Sequence, residues 1–362
     1  MRPDLAEEAA AAEAAAGTAA AGSILRIPGI RIQTGLGRNL GQMAVPGFFV
    51  LSGYLFFRNM DPGYPGSRGT AAAGLKNNLD FFLGKWKSRL RTLLLPYLLW
   101  NLIYYCIYLI FGRASLSLGN LWKALLVYRY NPVFWYLQQL ILITLLTPLL
   151  WMLLRQRRAV FPVLAALLFL AVFYRSLPFH LVNEDALFYY AAGAAGALHF
   201  RTSAEETPAA GSSAQKRAYI AGILCLLLFI LLQPASSAAF MRGLTEAGLF
   251  CTILCRLSGA LGLYFLLQAM GLPRGQLPFY MEETFFIYAA HYMELRAVQM
   301  AVRALGGGEA AELAAYLLMP AFCVLISAFC AELLRKYLPG LFSVLTGGRS
   351  PQPSGRWRRQ EG

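Results

Sequence analysis

Residues 46–57 read PGFFVLSGYLFF, an uncharged run in which a serine and a glycine interrupt large apolar side chains. Small residues inside an apolar helix let a second helix approach its backbone closely, as happens at helix contacts within membranes. The stretch therefore predicts a tightly packed helix of a membrane bundle, and Ser52, Gly53 and Tyr54 are its candidate pocket or packing residues.

The composition of the whole chain agrees with this prediction. Of 362 residues, 58% are hydrophobic and only 14% are charged, and the mean hydropathy is +0.51. A typical soluble protein has about 25% charged residues, so this chain has too few charges to coat a soluble surface of its size. Soluble enzymes, secreted disulfide scaffolds and disordered regulators are therefore excluded. Long apolar runs, without the short alternation of β-barrel strands, predict an all-α polytopic transmembrane helix bundle.

Nine apolar segments follow one another along the chain, and each is predicted to be a membrane span. They cover residues 42–57, 92–111, 133–154, 159–174, 186–200, 218–234, 249–270, 284–303 and 313–334. The predicted organisation is an Ala-rich N-terminal segment at 1–40, a transmembrane domain at 41–336 and a basic tail at 337–362.

The net charge of +14 is interpreted as the positive-inside bias of a membrane protein in contact with a lipid bilayer, not as a nucleic-acid surface. One set of alternate loops, which includes 58–91 and 335–362, carries 20 Lys and Arg residues, and the other set carries 9. This asymmetry predicts a multi-pass protein of the cell membrane with a cytoplasmic C-terminus and an external N-terminus.

Three further stretches accompany residues 46–57. A basic segment KWKSRLR at 85–91 leads into LPYLLWN at 95–101, FWYLQQL occupies 134–140, and FFIYAAH occupies 285–291. In order and spacing the four stretches resemble the membrane acyltransferase 3 family, which includes O-acetyltransferases of surface polysaccharides. The resemblance covers about residues 40–336.

The resemblance implies a ten-span fold whose first span carries a histidine regarded as essential for acyl transfer. That histidine has no counterpart here, because the chain contains only His180, His199 and His291. The charge asymmetry points the same way, since one more upstream span would place both termini in the cytoplasm. We therefore expect a first helix to be missing from this chain, which places its activity in question.

Arg89 and Arg91 are the candidate donor-binding residues. The resemblance implies a cytoplasmic acyl-CoA donor, whose phosphates suit the bidentate geometry of arginine. The alternative is a purely topological role with contact to lipid headgroups.

His291 lies within a predicted span, where an ionisable residue is a functional hypothesis by default. It is the candidate catalytic residue, as a general base or a group that orients a carbonyl, and Tyr288 shares its helix face. The alternative is a hydrogen bond between helices.

Arg256 and Glu294 lie at matching depth on consecutive predicted spans, which predicts an intramembrane ion pair with a structural role. Trp135 and Gln138 lie near the predicted external mouth. Trp135 is typical of an interfacial anchor, and Gln138 has an amide that could bind a sugar hydroxyl. The sequence predicts no metal site and no tightly bound cofactor.

The predicted function is an integral membrane acyltransferase. It would transfer an acyl group, and acetyl is the expected one, from acyl-CoA to a hydroxyl of a cell-envelope glycan or a lipid-linked sugar. Two alternatives stay open. One is a multi-span transporter or flippase-like protein, and the other is a catalytically impaired member of the acyltransferase fold.

Overall fold

The computed structural model describes residues 41–58, 60, 74–174, 182–200, 211–271, 283–304, 306 and 308–348. Every regular element within these ranges is a helix, so the predicted all-α class is confirmed for them. The Ala-rich segment 1–40 and residues 349–362 of the predicted tail lie outside the described residues.

The helices are numbered here in chain order. They are α1 Gln42–Phe57, α2 Gly74–Arg89, α3 Leu95–Ile110, α4 Leu118–Val127, α5 Trp135–Leu145, α6 Thr147–Leu154, α7 Arg157–Phe173, α8 Glu184–His199, α9 Ser213–Met241, α10 Thr245–Ala269, α11 Thr284–Ala304, α12 Glu309–Tyr337 and α13 Pro339–Leu345. A π-helical turn at Leu90–Leu94 joins α2 to α3, and a 3-10 turn at Pro132–Phe134 precedes α5.

Four stretches of helix are long and apolar enough to cross a membrane: Asp80–Ile110, Ser213–Met241, Thr245–Ala269 and Leu313–Tyr337. The pair α5–α6 is a fifth if its 61° bend falls within one broken span. All nine predicted segments lie in helices, but α1 and α8 have only 16 residues each. Such a helix is about 24 Å long, shorter than the roughly 30 Å hydrocarbon core. Nine spans therefore stay a prediction.

The closest helix contact that organises the bundle is the crossing of α1 and α8. A Cβ atom built on Gly193 would overlap the backbone carbonyl of Val50, and one built on Gly53 would overlap the carbonyl of Tyr190. Both glycines are buried, and most of α8 is enclosed by its neighbours. The packing role predicted for Gly53 is thus confirmed, since only a residue without a side chain fits there.

Helices α1, α5, α8 and α10 run in the same direction. Gln42 at the start of α1 lies beside Asp185 and Arg256 in one cleft, whereas Tyr190 packs against Phe57 at the end of α1. The bundle therefore has a Gln42 end, where these helices begin, and a Phe57 end, where α1 finishes. The sequence prediction assigns the Gln42 end to the outside and the Phe57 end to the cytoplasm.

The outer surface of the bundle is apolar. Phe161 on α7 is 81% exposed, and Leu231 on α9 and Leu325 on α12 are each 68% exposed. Large apolar side chains exposed to this degree on several helices form more apolar surface than a soluble monomer normally shows, and they suit contact with lipid.

We expect Gly53→Ala and Gly193→Ala each to destabilise the protein by about 1–3 kcal/mol or more, because an added methyl group must push two backbones apart. The measurement is the temperature at which the purified protein loses its monodisperse peak in size-exclusion chromatography.

Matched controls lie on the same two helices. In Gly47→Ala the new methyl group would meet the Ala260 Cβ at 3.5 Å, and in Gly196→Ala it would meet a Tyr54 ring carbon at 3.9 Å, both ordinary contacts. Equal losses in controls and test variants would show that the crossing does not depend on the absent side chains.

Candidate functional site

The four sequence motifs meet in the middle of the bundle. Ser52 of the first motif shares a hydrogen bond of 3.1 Å with the hydroxyl of Tyr136 from the third. The Tyr136 ring packs edge-on against Tyr288 of the fourth, with 6.1 Å between centroids. Phe134 stacks on Tyr97 of the second motif at 5.8 Å. Segments up to 240 residues apart therefore build one centre.

Tyr288 is the member that holds this centre together. Its hydroxyl donates to the Val133 carbonyl at 2.8 Å, and its ring lies nearly parallel to that of Phe134, at 5.7 Å and 6°. The sequence placed Tyr288 correctly in a pocket or packing role, but it missed Tyr136, which joins Ser52 to Tyr288. Nothing in the sequence around Tyr136 distinguishes it from Trp135, the neighbouring aromatic residue that is predicted to be an interfacial anchor.

His291 lies one helical turn beyond Tyr288 and is partly buried. Its Nδ1 lies 2.6 Å from the Tyr288 carbonyl and 3.3 Å from that of Ile287. A carbonyl only accepts, so Nδ1 is the donor in these contacts, and the other ring nitrogen, Nε2, is not used in them. The arrangement leaves His291 chemically able to accept a proton at Nε2.

At the Phe57 end, two cations lie over the ring of Phe56. The Lys85 Nζ is 5.7 Å from its centroid, and the Arg89 guanidinium carbon is 5.9 Å from it. Arg91 is exposed and has no such ring contact among those that the structure describes. The structure thus pairs Arg89 with Lys85 and separates it from Arg91. We call Lys85, Arg89 and Phe56 the basic cluster.

Trp86 lines a narrow crevice beside Arg89. The indole Nε1 donates to the Thr144 carbonyl at 2.9 Å, next to the break between α5 and α6. The Thr147 hydroxyl donates to the same carbonyl at 2.7 Å. The backbone group that the bend of the broken helix exposes is therefore satisfied by protein.

The predicted Arg256–Glu294 pair is wrong. Arg256 Nη1 lies 3.8 Å from Asp185 Oδ2, and its Nε lies 3.4 Å from the Gln42 side-chain oxygen. Glu294 instead accepts a 2.6 Å hydrogen bond from Ser327 on α12. Matching depth indicated a partner on the next helix, but α10 packs mainly against α9 and α1, and Arg256 reaches Asp185 on α8 rather than Glu294 on α11.

Trp135 and Gln138 have separate environments. Trp135 lines the cleft at the Gln42 end together with Gln42, Asp185 and Arg256. Gln138 donates through its amide to the Leu126 carbonyl, where it fastens the end of α4 to α5. Gln138 is thus engaged by protein, and the sequence missed Asp185 and Gln42 because both lie at the very edges of apolar segments.

Among the described residues, no group of three or more His, Cys, Asp or Glu side chains is arranged to hold a metal ion. The groups of the site that can take part in chemistry are the hydroxyls of the motif centre and the His291 imidazole. Charged side chains lie at both ends of α1, in the basic cluster and beside Gln42.

Comparison with known protein families gives a match. A family model described as an acyltransferase domain matches residues 16–332, most of the chain. No curated protein and no solved structure matches it. The matched range includes all four motifs that meet at Tyr136 and Tyr288, so the match and the geometry concern the same part of the molecule. The chain therefore belongs to the membrane acyltransferase 3 family and is a multi-pass membrane acyltransferase.

Proposed function

We propose that the protein transfers an acyl group, acetyl in the simplest case, from cytoplasmic acyl-CoA to a hydroxyl of a cell-envelope carbohydrate or lipid-linked sugar. The observation that carries this proposal is the position of the motif centre on α1, between the basic cluster at one end and a polar cleft at the other. Gln42 and Phe56 are 14 residues apart, which corresponds to about 21 Å along a helix. Donor and acceptor can therefore approach the centre from opposite ends.

The basic cluster supports binding of the donor. Arg89 and Lys85 are each partly buried over one aromatic ring, which restrains their side chains before any ligand binds. Phosphates are the anionic groups that CoA presents, and charge-assisted hydrogen bonds to them are among the stronger ones in proteins. Two preordered cations beside the membrane interior suit the phosphate-bearing part of a thioester whose acyl group extends inward.

His291 supplies the chemistry in this proposal. The acceptor hydroxyl attacks the thioester carbonyl, a C–O bond forms and the C–S bond breaks. Nε2 takes the proton of the hydroxyl and returns it to the departing thiolate of CoA, so charge and atoms balance. When Tyr136 donates the hydrogen bond that the two hydroxyls share, Ser52 keeps its own proton, which it would donate to the carbonyl oxygen as negative charge develops.

A transporter was the alternative function, and the broken helix α5–α6 is the feature that would favour it. Transporters bind ions at unwound backbone whose carbonyls are free to coordinate them. Here the Thr144 carbonyl at the break already accepts from Trp86 and Thr147. The break therefore favours a packing role, and the family match favours acyl transfer.

Removing Arg89 should weaken donor binding more than removing Arg91. We expect Arg89→Ala to raise the dissociation constant of acetyl-CoA about 10–100-fold, since a hydrogen bond to a charged group contributes about 1.5–3 kcal/mol. The exposed Arg91→Ala is the matched control and should change it little. Isothermal titration of the purified protein at two salt concentrations measures both, and equal effects of the two substitutions would remove Arg89 from the donor site.

Replacing the imidazole should slow transfer without changing donor binding. We expect His291→Gln to lower kcat about 10²–10⁴-fold, the usual contribution of a general base, with the acetyl-CoA dissociation constant unchanged. His199→Gln is the matched control, because the His199 Nε2 lies 2.6 Å from the Leu154 carbonyl, a contact that serves packing. Full activity of His291→Gln would place the base elsewhere. An inactive parent chain that still binds acetyl-CoA would instead identify a catalytically impaired member of the fold.

A further inference from the structure

A cleft of about 200 Å³ opens at the Gln42 end of the bundle, between α1, α5, α8 and α10. It lies at the other end of α1 from the basic cluster. Its wall has two different parts: Gln42, Asp185 and Arg256 are polar, while Val45, Phe49 and Trp135 are apolar.

The charged part of the polar wall is partly open to the cleft. Arg256 and Asp185 approach only to 3.8 Å, and their side chains stay 33% and 28% exposed. The contact of Arg256 with Gln42 is also long, at 3.4 Å. A guanidinium carries five N–H donors in a fixed fork, which is more than the contacts of Arg256 with Asp185, Gln42 and Tyr189 use. One positive and one negative group face it together, which favours a neutral ligand with both donors and acceptors over an anion.

The apolar wall complements this polar edge. Trp135 and Phe49 lie with 6.1 Å between ring centroids and an interplanar angle of 51°, so they form two sides of a corner. A ligand that fits must have an apolar face for the rings and a hydroxylated edge for the charged pair. A pyranose ring has both, because its C–H groups and its hydroxyls point in different directions.

The size of the cleft limits what it can hold. Pockets for drug-sized ligands have volumes of about 300–1,000 Å³, and this cleft has about 200 Å³. It therefore suits a single ring, with the remainder of a longer glycan outside the bundle.

The cleft borders the motif centre through Phe49. Phe49, which lines it, packs against Tyr136 with 4.7 Å between ring centroids, and Tyr136 bonds Ser52. A ring in the cleft would thus lie against Phe49, whose ring packs on the Tyr136 side chain of the motif centre.

We propose that this cleft is the acceptor subsite and that it binds one neutral pyranose residue, with Trp135 as the platform and Asp185 and Arg256 as the hydroxyl-binding pair. The proposal rests on the proposed acyl transfer, but it concerns a different end of the molecule and different residues. Asp185 and Arg256 act here as binding residues and not as a structural ion pair alone.

The test uses the full chain, purified without sugar detergents, with acetyl-CoA as donor. The acceptor probes are methyl glycosides of neutral hexoses and N-acetylhexosamines, compared with a methyl glucuronide. We expect Trp135→Leu, Asp185→Asn and Arg256→Gln each to raise the KM for the neutral glycoside about tenfold or more, as the loss of a hydrogen bond to a charged group or of a stacked ring does. The acetyl-CoA dissociation constant should not change.

Matched controls carry side chains of the same kind at the same end, outside the cleft. They are Trp122→Leu, Glu246→Gln and Arg242→Gln, at three exposed positions. Controls that raise the KM as much as the cleft variants would overturn the proposal, as would a preference for the glucuronide or a KM that the cleft variants leave unchanged.

A second measurement detects ligand binding in the cleft and does not require acyl transfer. Val45 lines it and is partly exposed, so Val45→Cys should react with N-ethylmaleimide, followed at that peptide by mass spectrometry. Neutral glycosides should slow this reaction, and Asp185→Asn should abolish the protection. Absence of protection by every neutral glycoside would overturn the subsite. Protection in a chain that neither binds acetyl-CoA nor transfers its acyl group would keep the subsite and remove the proposed acyl transfer.

Discussion

The close crossing of α1 and α8 is the constraint on which the rest of the structure depends. Gly53 and Gly193 each lie where a Cβ atom would overlap a carbonyl of the other helix, so the two backbones touch over about one turn. This contact holds one face of α1 against α8, while Phe48, Leu51 and Leu55 on its other face stay exposed. It also fixes the rotation of α1, which directs Ser52 toward Tyr136 and Phe56 toward Lys85 and Arg89. A wider crossing would separate the motif centre from both ends.

The sequence predicted the helix contact and the family correctly, because each depends on a local pattern of residues. An apolar helix with Ser52-Gly53 needs a close neighbour, and the structure supplies α8. The order of the four motifs indicated the family, and the family match agrees. The same reasoning failed where the answer depends on which helices are neighbours. Depth along a span cannot tell whether Arg256 faces α8 or α11, and the structure shows Asp185 as its partner.

Two further features also depend on packing. Arg89 and Arg91 looked equivalent in a basic segment, but only Arg89 lies over the Phe56 ring, with Lys85 as its companion. The nine predicted spans include α1 and α8, which have 16 residues each and cross closely, and a membrane crossing by both helices stays a prediction. Packing, which the sequence does not state, decides these cases. The charged groups of the site therefore lie at two ends of α1, the basic cluster at the Phe57 end and the cleft at the Gln42 end, with the aromatic motif centre between them.

The central claim is that these two ends lie on opposite sides of one membrane, with the donor inside and the acceptor outside. The direct measurement uses two single substitutions at exposed positions, Gly119→Cys near the Gln42 end and Gln156→Cys near the Phe57 end. Intact cells are treated with a membrane-impermeant maleimide, and the parent chain gives the background from its own cysteines. The account predicts labelling of Gly119→Cys in intact cells and of Gln156→Cys only after permeabilisation. Labelling of both positions from the same side, or of Gln156→Cys alone in intact cells, would contradict it.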